Sequence, residues 1–311
     1  MRPSRRPIVI ATRRSRLALA QSQAVADALK RLHPTVDVRL LPSDSEGDRI
    51  TDRPLAAIGG KGLFTRSIEA ALLDRSADLA VHSLKDLPVR PTPGLVLAAT
   101  PARGEARDAL VCPDARTLAD LPAGAAVGTS SPRRAAQLAR LRDDLVVVPM
   151  RGNVDTRLRK ALEQKDCRAV ILAAAGLQRA GFGEHADKLI DADQMLPAAG
   201  QGILALQCRS DDHVTLRRCL PLNDSVTATC AQAERQIVEA LRADCHAAVA
   251  VFAESVGVGE LRIRARVFSH DGAQCLEADE TCSVRSAGRS CRRIADDLIA
   301  RGALRLIAQA R

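Results

Sequence analysis

Apolar and polar residues follow one another along this chain in blocks, in the rhythm of strands feeding helices. Ile8-Val9-Ile10-Ala11 reads as a short buried strand and Thr12-Arg13-Arg14-Ser15 as a loop. Apolar residues then recur at Leu17, Ala20, Ala24, Val25, Ala28, Leu29 and Leu32, the 3.6-residue period of an amphipathic helix. Residues 36–41 alternate as a second strand. Residues 43–60 are polar and Gly-rich, ending in Ile58-Gly59-Gly60-Lys61-Gly62 before a helix through Leu72. A polar stretch of that length inside an α/β unit is expected to be a mobile loop over a site. A strand over 78–82 leads into Ser83-Leu84-Lys85-Asp86, and another strand lies near 95–100.

The same logic repeats from about residue 102. Ala125-Ala126-Val127-Gly128 is a strand leading to Thr129-Ser130-Ser131-Pro132-Arg133-Arg134 and a helix through Leu141. Leu145-Val146-Val147-Val148 leads to Arg151-Gly152-Asn153 and a helix carrying Arg157, and a strand over 169–175 leads to Gly176-Leu177-Gln178-Arg179. The strand over 203–207 is expected to return to the first sheet, so that crossings near Pro101 and Gly200 make a hinge. Beyond Leu220-Pro221 the pattern changes to a helix over 225–241, strands over 249–254, 261–268 and 277–284, and a helix from about Cys291. The fold class is therefore α/β with a smaller C-terminal α+β domain.

Composition narrows the function. The net charge is +9, but most of the positive charge is arginine scattered through the chain. There is no Trp or Tyr, and Phe64, Phe182, Phe252 and Phe268 are too few to stack unpaired bases. Small polyanionic ligands fit this balance better than nucleic acid. No apolar run approaches the roughly 18 residues of a membrane span, and the apolar run after Arg2, Arg5 and Arg6 is too short for a signal-peptide core. A cytoplasmic location is expected. Nine cysteines without CxxC or Cys/His ligand spacing argue for reduced thiols and no metal site.

The candidate chemistry gathers at strand ends, where open α/β sheets place their ligands. Lys85-Asp86 puts a carboxylate beside a cation that keeps it ionised, although a polar turn closed by Pro88 explains the same residues. Three successive strands end in small or polar residues and then arginine, which suggests a pocket for several carboxylates. Ser131 is a favoured N-cap and Pro132 a favoured first helical residue, so a helix N-terminus with free N–H groups falls there. Arg133 and Arg134 add bidentate donors. The alternative is that these two arginines pair with Asp143, Asp144 or other surface acids.

These motifs, taken in order, resemble the hydroxymethylbilane synthase family, also called porphobilinogen deaminases. The resemblance is carried by Ile10-Ala11-Thr12-Arg13 with Ser15, Gly59-Gly60-Lys61-Gly62-Leu63-Phe64 and Ala80-Val81-His82-Ser83-Leu84-Lys85-Asp86. It continues through Val127-Gly128-Thr129-Ser130-Ser131 with Arg133-Arg134, Arg151-Gly152-Asn153 with Thr156-Arg157, and Pro197-Ala198-Ala199-Gly200-Gln201-Gly202. It implies two lobes of the type II periplasmic-binding-protein kind and a third domain. Residues 1–101 with 202–219 would form domain 1, residues 102–201 domain 2 and residues 220–311 domain 3.

The resemblance also implies the chemistry. Four porphobilinogens would condense head to tail with loss of ammonia onto a covalent dipyrromethane primer, one per chain, and linear hydroxymethylbilane would be released by hydrolysis. By sequence order the primer's thioether would fall on Cys245, although Ala243-Asp244-Cys245-His246-Ala247-Ala248 replaces the family's Gly-Gly-Cys-x-x-Pro. Asp86 would stabilise the cationic azafulvene as ammonia leaves. Arg13, Ser15, Lys61, Ser83, Lys85, Thr129, Ser131, Arg133, Arg134, Arg151, Gly152, Arg157 and Arg179 would bind substrate and primer carboxylates. Ala57 and Glu46 depart from the family in the 43–60 loop. The family expectation is a monomer whose partner is porphobilinogen, with no membrane and no nucleic acid. The rival is a non-catalytic small-anion-binding protein of the same two-lobed fold.

Overall fold

The computed structural model describes residues 6–44, 65–163, 167–244 and 246–309. The chain divides into two compact units, residues 1–103 with 203–228, and residues 104–202 with 229–311. In the first unit, β1 (Ile8–Arg13), β2 (Val38–Ser43), β3 (Leu79–Ser83), β4 (Leu95–Ala99) and β9 (Leu204–Arg209) form one sheet in the order β2-β1-β3-β9-β4. The returning strand β9 runs antiparallel to both β3 and β4, while β1 pairs parallel with β2 and β3. Helix α1 (Arg16–Leu32) covers one face with Val25, Ala26 and Leu29, which join Ile8, Ile10, Leu79, Val81 and Leu206 in the core. Helix α2 (Arg66–Leu73) covers the other with Ile68 and Leu72 against Ala11 and Ala80. Alternation along β1 and β3 thus fills two separate cores.

The second unit holds a four-stranded sheet in the order β5-β8-β6-β7, made of β5 (Asp108–Val111), β6 (Ala126–Gly128), β7 (Val146–Val148) and β8 (Ala169–Ala173). Here too the first strand after the crossing, β5, is the antiparallel one. Three helices follow the parallel strands: α3 (Pro132–Leu141), α4 (Val154–Glu163) and α5 (Ala174–Arg179). The same unit contains an antiparallel meander, β10 (Val249–Gly257), β11 (Glu260–Phe268) and β12 (Cys275–Ser283). Helices α8 (Ala287–Ala300) and α9 (Ala303–Gln309) pack on it through Cys291, Ile294, Leu298, Leu306 and Ile307. The α/β class and the α+β character of the C-terminal part are as expected from the sequence.

Several local readings need correction. Thr12 and Arg13 extend β1 and are not loop, and Gly176 to Arg179 lie within α5. The strand β5 and the helix α6 (His213–Cys219) escape the hydrophobic pattern altogether. The alternating arginines of β11 form a charge ladder. Arg262 pairs with Asp279 across the strands, Arg266 with Glu277, and the buried Arg264 with Glu254 and Asp193. Helix α7 (Ser225–Ala240) is tied down by Glu234, whose carboxylate accepts from the backbone N–H of Gly200 at 2.6 Å and of Ala253 at 2.9 Å. Gly202 has φ +83°, and a Cβ there would stand 2.7 Å from the Gly104 carbonyl oxygen, so only glycine fits the close approach. Among the described residues, no helix is long and apolar enough to cross a membrane.

Candidate active site

Parallel pairing sets the carboxyl ends of β1 and β3 side by side, with Ile10 opposite Leu79 and Ala11 opposite Ala80. That register carries Arg13 and Ser83 to one end of the sheet, where α1 begins. Ser15 caps α1 by accepting from the Ala18 N–H at 3.4 Å, and Thr12 fastens the turn through Ala18 O and Ser22. A single 3-10 turn over Leu84–Asp86 follows β3, anchored by the buried Leu84. Lys85 and Asp86 are both exposed on it.

One pocket collects Arg13, Ser15, Gln21, His82, Ser83 and Asp86. The sequence reading did not give Gln21 or His82 a role, yet both shape this pocket. Gln21 is buried and hydrogen-bonds Ser83 Oγ at 3.1 Å. A polar residue on the buried stripe of α1, between Ala18 and Val25, was the signal available in the sequence. His82 is buried, and its Nε2 lies 3.0 Å from Gln207 Oε1. Gln207 Nε2 in turn donates to Glu69 Oε1 at 3.0 Å. Burial pushes the His82 imidazole down to about 4, with the carboxylates of Glu69 and Asp86 opposing and Arg13 assisting, so the ring is neutral near pH 7.

The expected residues of the second unit separate into two groups. Ser131 is the N-cap of α3 and Pro132 its first residue, and Thr129 Oγ1 accepts from the Ser131 N–H at 3.2 Å. Ser130 ties this turn to the next by bonding both N–H and C=O of Met150, the residue before Arg151. Arg151 and Arg157 are partly exposed around the exposed Gly152, whose carbonyl accepts from Arg157 Nε at 2.7 Å. Arg179 is half-buried and donates to Gly202 O at 2.6 Å.

Arg133 and Arg134 are placed differently. Both are buried, and each holds one oxygen of Asp108 at 2.7 Å; they also donate to Leu196 O and Ile171 O. Their acid is the fully buried Asp108, not the surface acids Asp143 or Asp144; Asp144 pairs with Arg142. Gln201 adds a third donor to Asp108 at 2.8 Å. Although burial alone would raise it, the two guanidinium groups hold the Asp108 carboxyl far below the usual carboxylate range. The Nε atoms of Arg133 and Arg134 remain buried without a partner.

Lys61, Cys245 and residues 45–60 of the polar loop lie outside the described residues. The flanks of Cys245 are defined: Arg242 takes φ +52°, and Asp244 Oδ1 accepts from the His246 N–H at 3.0 Å. Neither flank uses glycine: Arg242 takes a left-handed conformation, and Asp244 holds His246. Of the eight other cysteines, six are buried. Burial pushes the thiols of Cys208 and Cys291 up to about 11 and those of Cys219 and Cys275 up to about 12. Those four are poor nucleophiles.

Comparison with known proteins gives a consistent answer. Residues 8–217 match the family model described as "Porphobilinogen deaminase, dipyromethane cofactor binding domain". The porphobilinogen deaminase of Syntrophotalea carbinolica is 46% identical over 96% of this chain and 94% of its own length. That of Sorangium cellulosum is 45% identical over 94% and 96%, and that of Roseiflexus sp. 44% over 97% and 98%. Among solved structures, a periplasmic substrate-binding protein of an ABC transporter from Coxiella burnetii aligns at 15% identity. It covers 71% of this chain and 94% of that one, with a TM-score of 0.44.

Proposed function

The chain belongs to the porphobilinogen deaminase family, and from that premise we propose how its residues divide the work of hydroxymethylbilane synthesis. The reaction is a transferase reaction of tetrapyrrole biosynthesis: porphobilinogens are condensed head to tail with loss of ammonia, and the linear tetrapyrrole is released. The observation that carries the assignment is the pocket at the carboxyl ends of β1 and β3, where one exposed carboxylate, Asp86, stands among Arg13, Ser15 and Ser83.

Asp86 is assigned the chemistry. As the aminomethyl C–N bond of porphobilinogen breaks, its electron pair leaves with ammonia and positive charge spreads to the pyrrole nitrogen. A fixed carboxylate beside that N–H stabilises the charge as it develops and can relay protons. Arg13 and Lys85 balance the substrate's acetate and propionate, with Ser15 and Ser83 as neutral donors. In the second unit, Arg151, Arg157 and Arg179, with Thr129, Ser131 and the Gly152 backbone, are assigned to carboxylates of the pyrrole chain. Arg133 and Arg134 are assigned to the same task from their place in the first turn of α3, with Asp108 fixing their position. Lys61 is assigned to the same task from its motif alone.

The family's dipyrromethane cofactor, when bound, supplies the pyrrole carbon onto which the first substrate is added. A group bearing several carboxylates suits the arginine-rich turns of the second unit. Cys245 is the proposed attachment residue, although the family model's matched residues end at 217. The raised thiols of Cys208, Cys219, Cys275 and Cys291 support attachment at a different cysteine. The division into three domains, with boundaries at 101/102, 201/202 and 219/220, belongs to the same proposal. So do a cytoplasmic location, a monomeric state and the absence of a nucleic-acid partner.

Purified protein given porphobilinogen is expected to release one ammonia for each pyrrole consumed and to yield a linear tetrapyrrole. Tight binding of porphobilinogen without ammonia release would overturn the assignment in favour of a carrier.

A further inference from the structure

The mechanism leaves one buried group at the pocket unused. The His82 ring lines it with Asp86 and Arg13, yet is only 6% exposed. Its Nε2 is taken by Gln207 Oε1 at 3.0 Å. The Gln207 amide cannot turn over without loss, because its Nε2 donates to Glu69 Oε1 at 3.0 Å and a carboxylate only accepts. Glu69 therefore sets Gln207, and Gln207 sets the imidazole with its proton on Nε2. Nδ1 is left as a bare lone pair, without a partner among the described residues.

The frame holding this arrangement is rigid. His82 comes from β3, Gln207 from the neighbouring β9 and Glu69 from α2, which packs on the same sheet face. Gln207 lies opposite Ala80 and Ala205 opposite His82, so the His82 and Gln207 side chains share a face one step apart along the pair. The charged groups that act on the ring are Glu69, Asp86 and Arg13.

We infer that His82, fixed as its Nε2–H tautomer by the Glu69–Gln207 relay, offers Nδ1 as a second acceptor for an N–H of the bound pyrrole substrate. This inference rests on the assignment of the pocket to porphobilinogen and deepens it. Porphobilinogen carries a pyrrole N–H and, on a side arm, an ammonium, donors that point in different directions. A neutral acceptor can order one of them without adding charge beside Asp86. On this view His82 contacts the substrate, while Gln207 and Glu69 are positioning residues.

Two substitutions separate the contact from a packing role. Asparagine places its amide oxygen near the position of Nδ1, and glutamine reaches the position of Nε2. His82→Asn is expected to retain kcat/KM within about 5-fold of wild type, whereas His82→Gln loses about 10- to 100-fold, the range of one hydrogen bond to an ionic or strongly polar partner. A merely structural histidine predicts the reverse order, since glutamine preserves the link to Gln207. The reverse order, or two unchanged variants, would overturn the inference.

Imidazole nitrogen-15 shifts of the wild-type protein cover the case in which both variants unfold. The inference requires a neutral ring with its proton on Nε2 from pH 6 to 8, and a changed Nδ1 shift on adding porphobilinogen. A proton on Nδ1, or no response to porphobilinogen by a protein that consumes it, would contradict the inference. Wild-type protein that consumes no porphobilinogen would instead defeat the assignment of function, whatever the tautomer of His82.

Discussion

Replacing Asp86 by Asn is expected to lower kcat by about 10²- to 10³-fold, the loss typical of removing one preorganised electrostatic partner of a transition state. Binding of porphobilinogen should change little. The amide keeps the size and one acceptor oxygen of the carboxylate but not its charge. The difference therefore falls on the step in which positive charge develops, not on the ground state. The fold gives no reason for a structural loss, because Asp86 is exposed on the short turn after β3 while Leu84 anchors that turn in the core. Stopped-flow ammonia release beside equilibrium binding of porphobilinogen separates the two effects. Turnover within a few-fold of wild type would move the chemistry to another group.

Asp108→Asn is expected to cost about 3–5 kcal/mol of stability at pH 7, the usual cost of breaking a buried ion pair by removing one partner. Both Arg133 and Arg134 would be left buried without their shared carboxylate, and Gln201 would lose an acceptor. The sign of the pH dependence follows from the same contacts. The Asp108 carboxyl in the folded chain titrates far below its value in the unfolded chain, which is about 3.9. Its stabilisation is therefore complete above about pH 4 and is lost as pH falls toward the folded value. Urea unfolding at pH 7 should show the full deficit, and the gap between wild type and variant should narrow below pH 4. A deficit under 1 kcal/mol at pH 7 would mean that the arginines find other partners.

Much of this arrangement is readable from residue order, and the exceptions share a cause. The strand-helix rhythm, the Ser131-Pro132 helix start and the existence of a strand after Gly200 all follow from periodicity and capping, which are local. Asp108 was not legible, because a charged residue opening a four-residue apolar strand looks like loop until its two arginines are seen 25 and 26 residues away. The Glu69–Gln207–His82 relay spans 138 residues of sequence and exists only because β9 returns beside β3. The hold of Arg133 and Arg134 on Asp108 was not legible for the same reason: sequence shows a helix N-terminus but not the buried acid beneath it. Conversely, Arg13 and Asp86 were legible because each sits at or just beyond the end of a short apolar strand, where side chains leave the core.

The turn around Cys245 lacks the glycines that the family resemblance implies, and it is flanked by the left-handed Arg242 and by Asp244, which accepts from the His246 N–H. The intact mass of the protein purified from cells that produce porphobilinogen, followed by peptide mapping, tests whether that turn carries the primer. One dipyrromethane adduct per chain is expected, confined to the peptide containing Cys245. A mass equal to the bare polypeptide in a preparation that still makes hydroxymethylbilane, or an adduct on another cysteine, would contradict it.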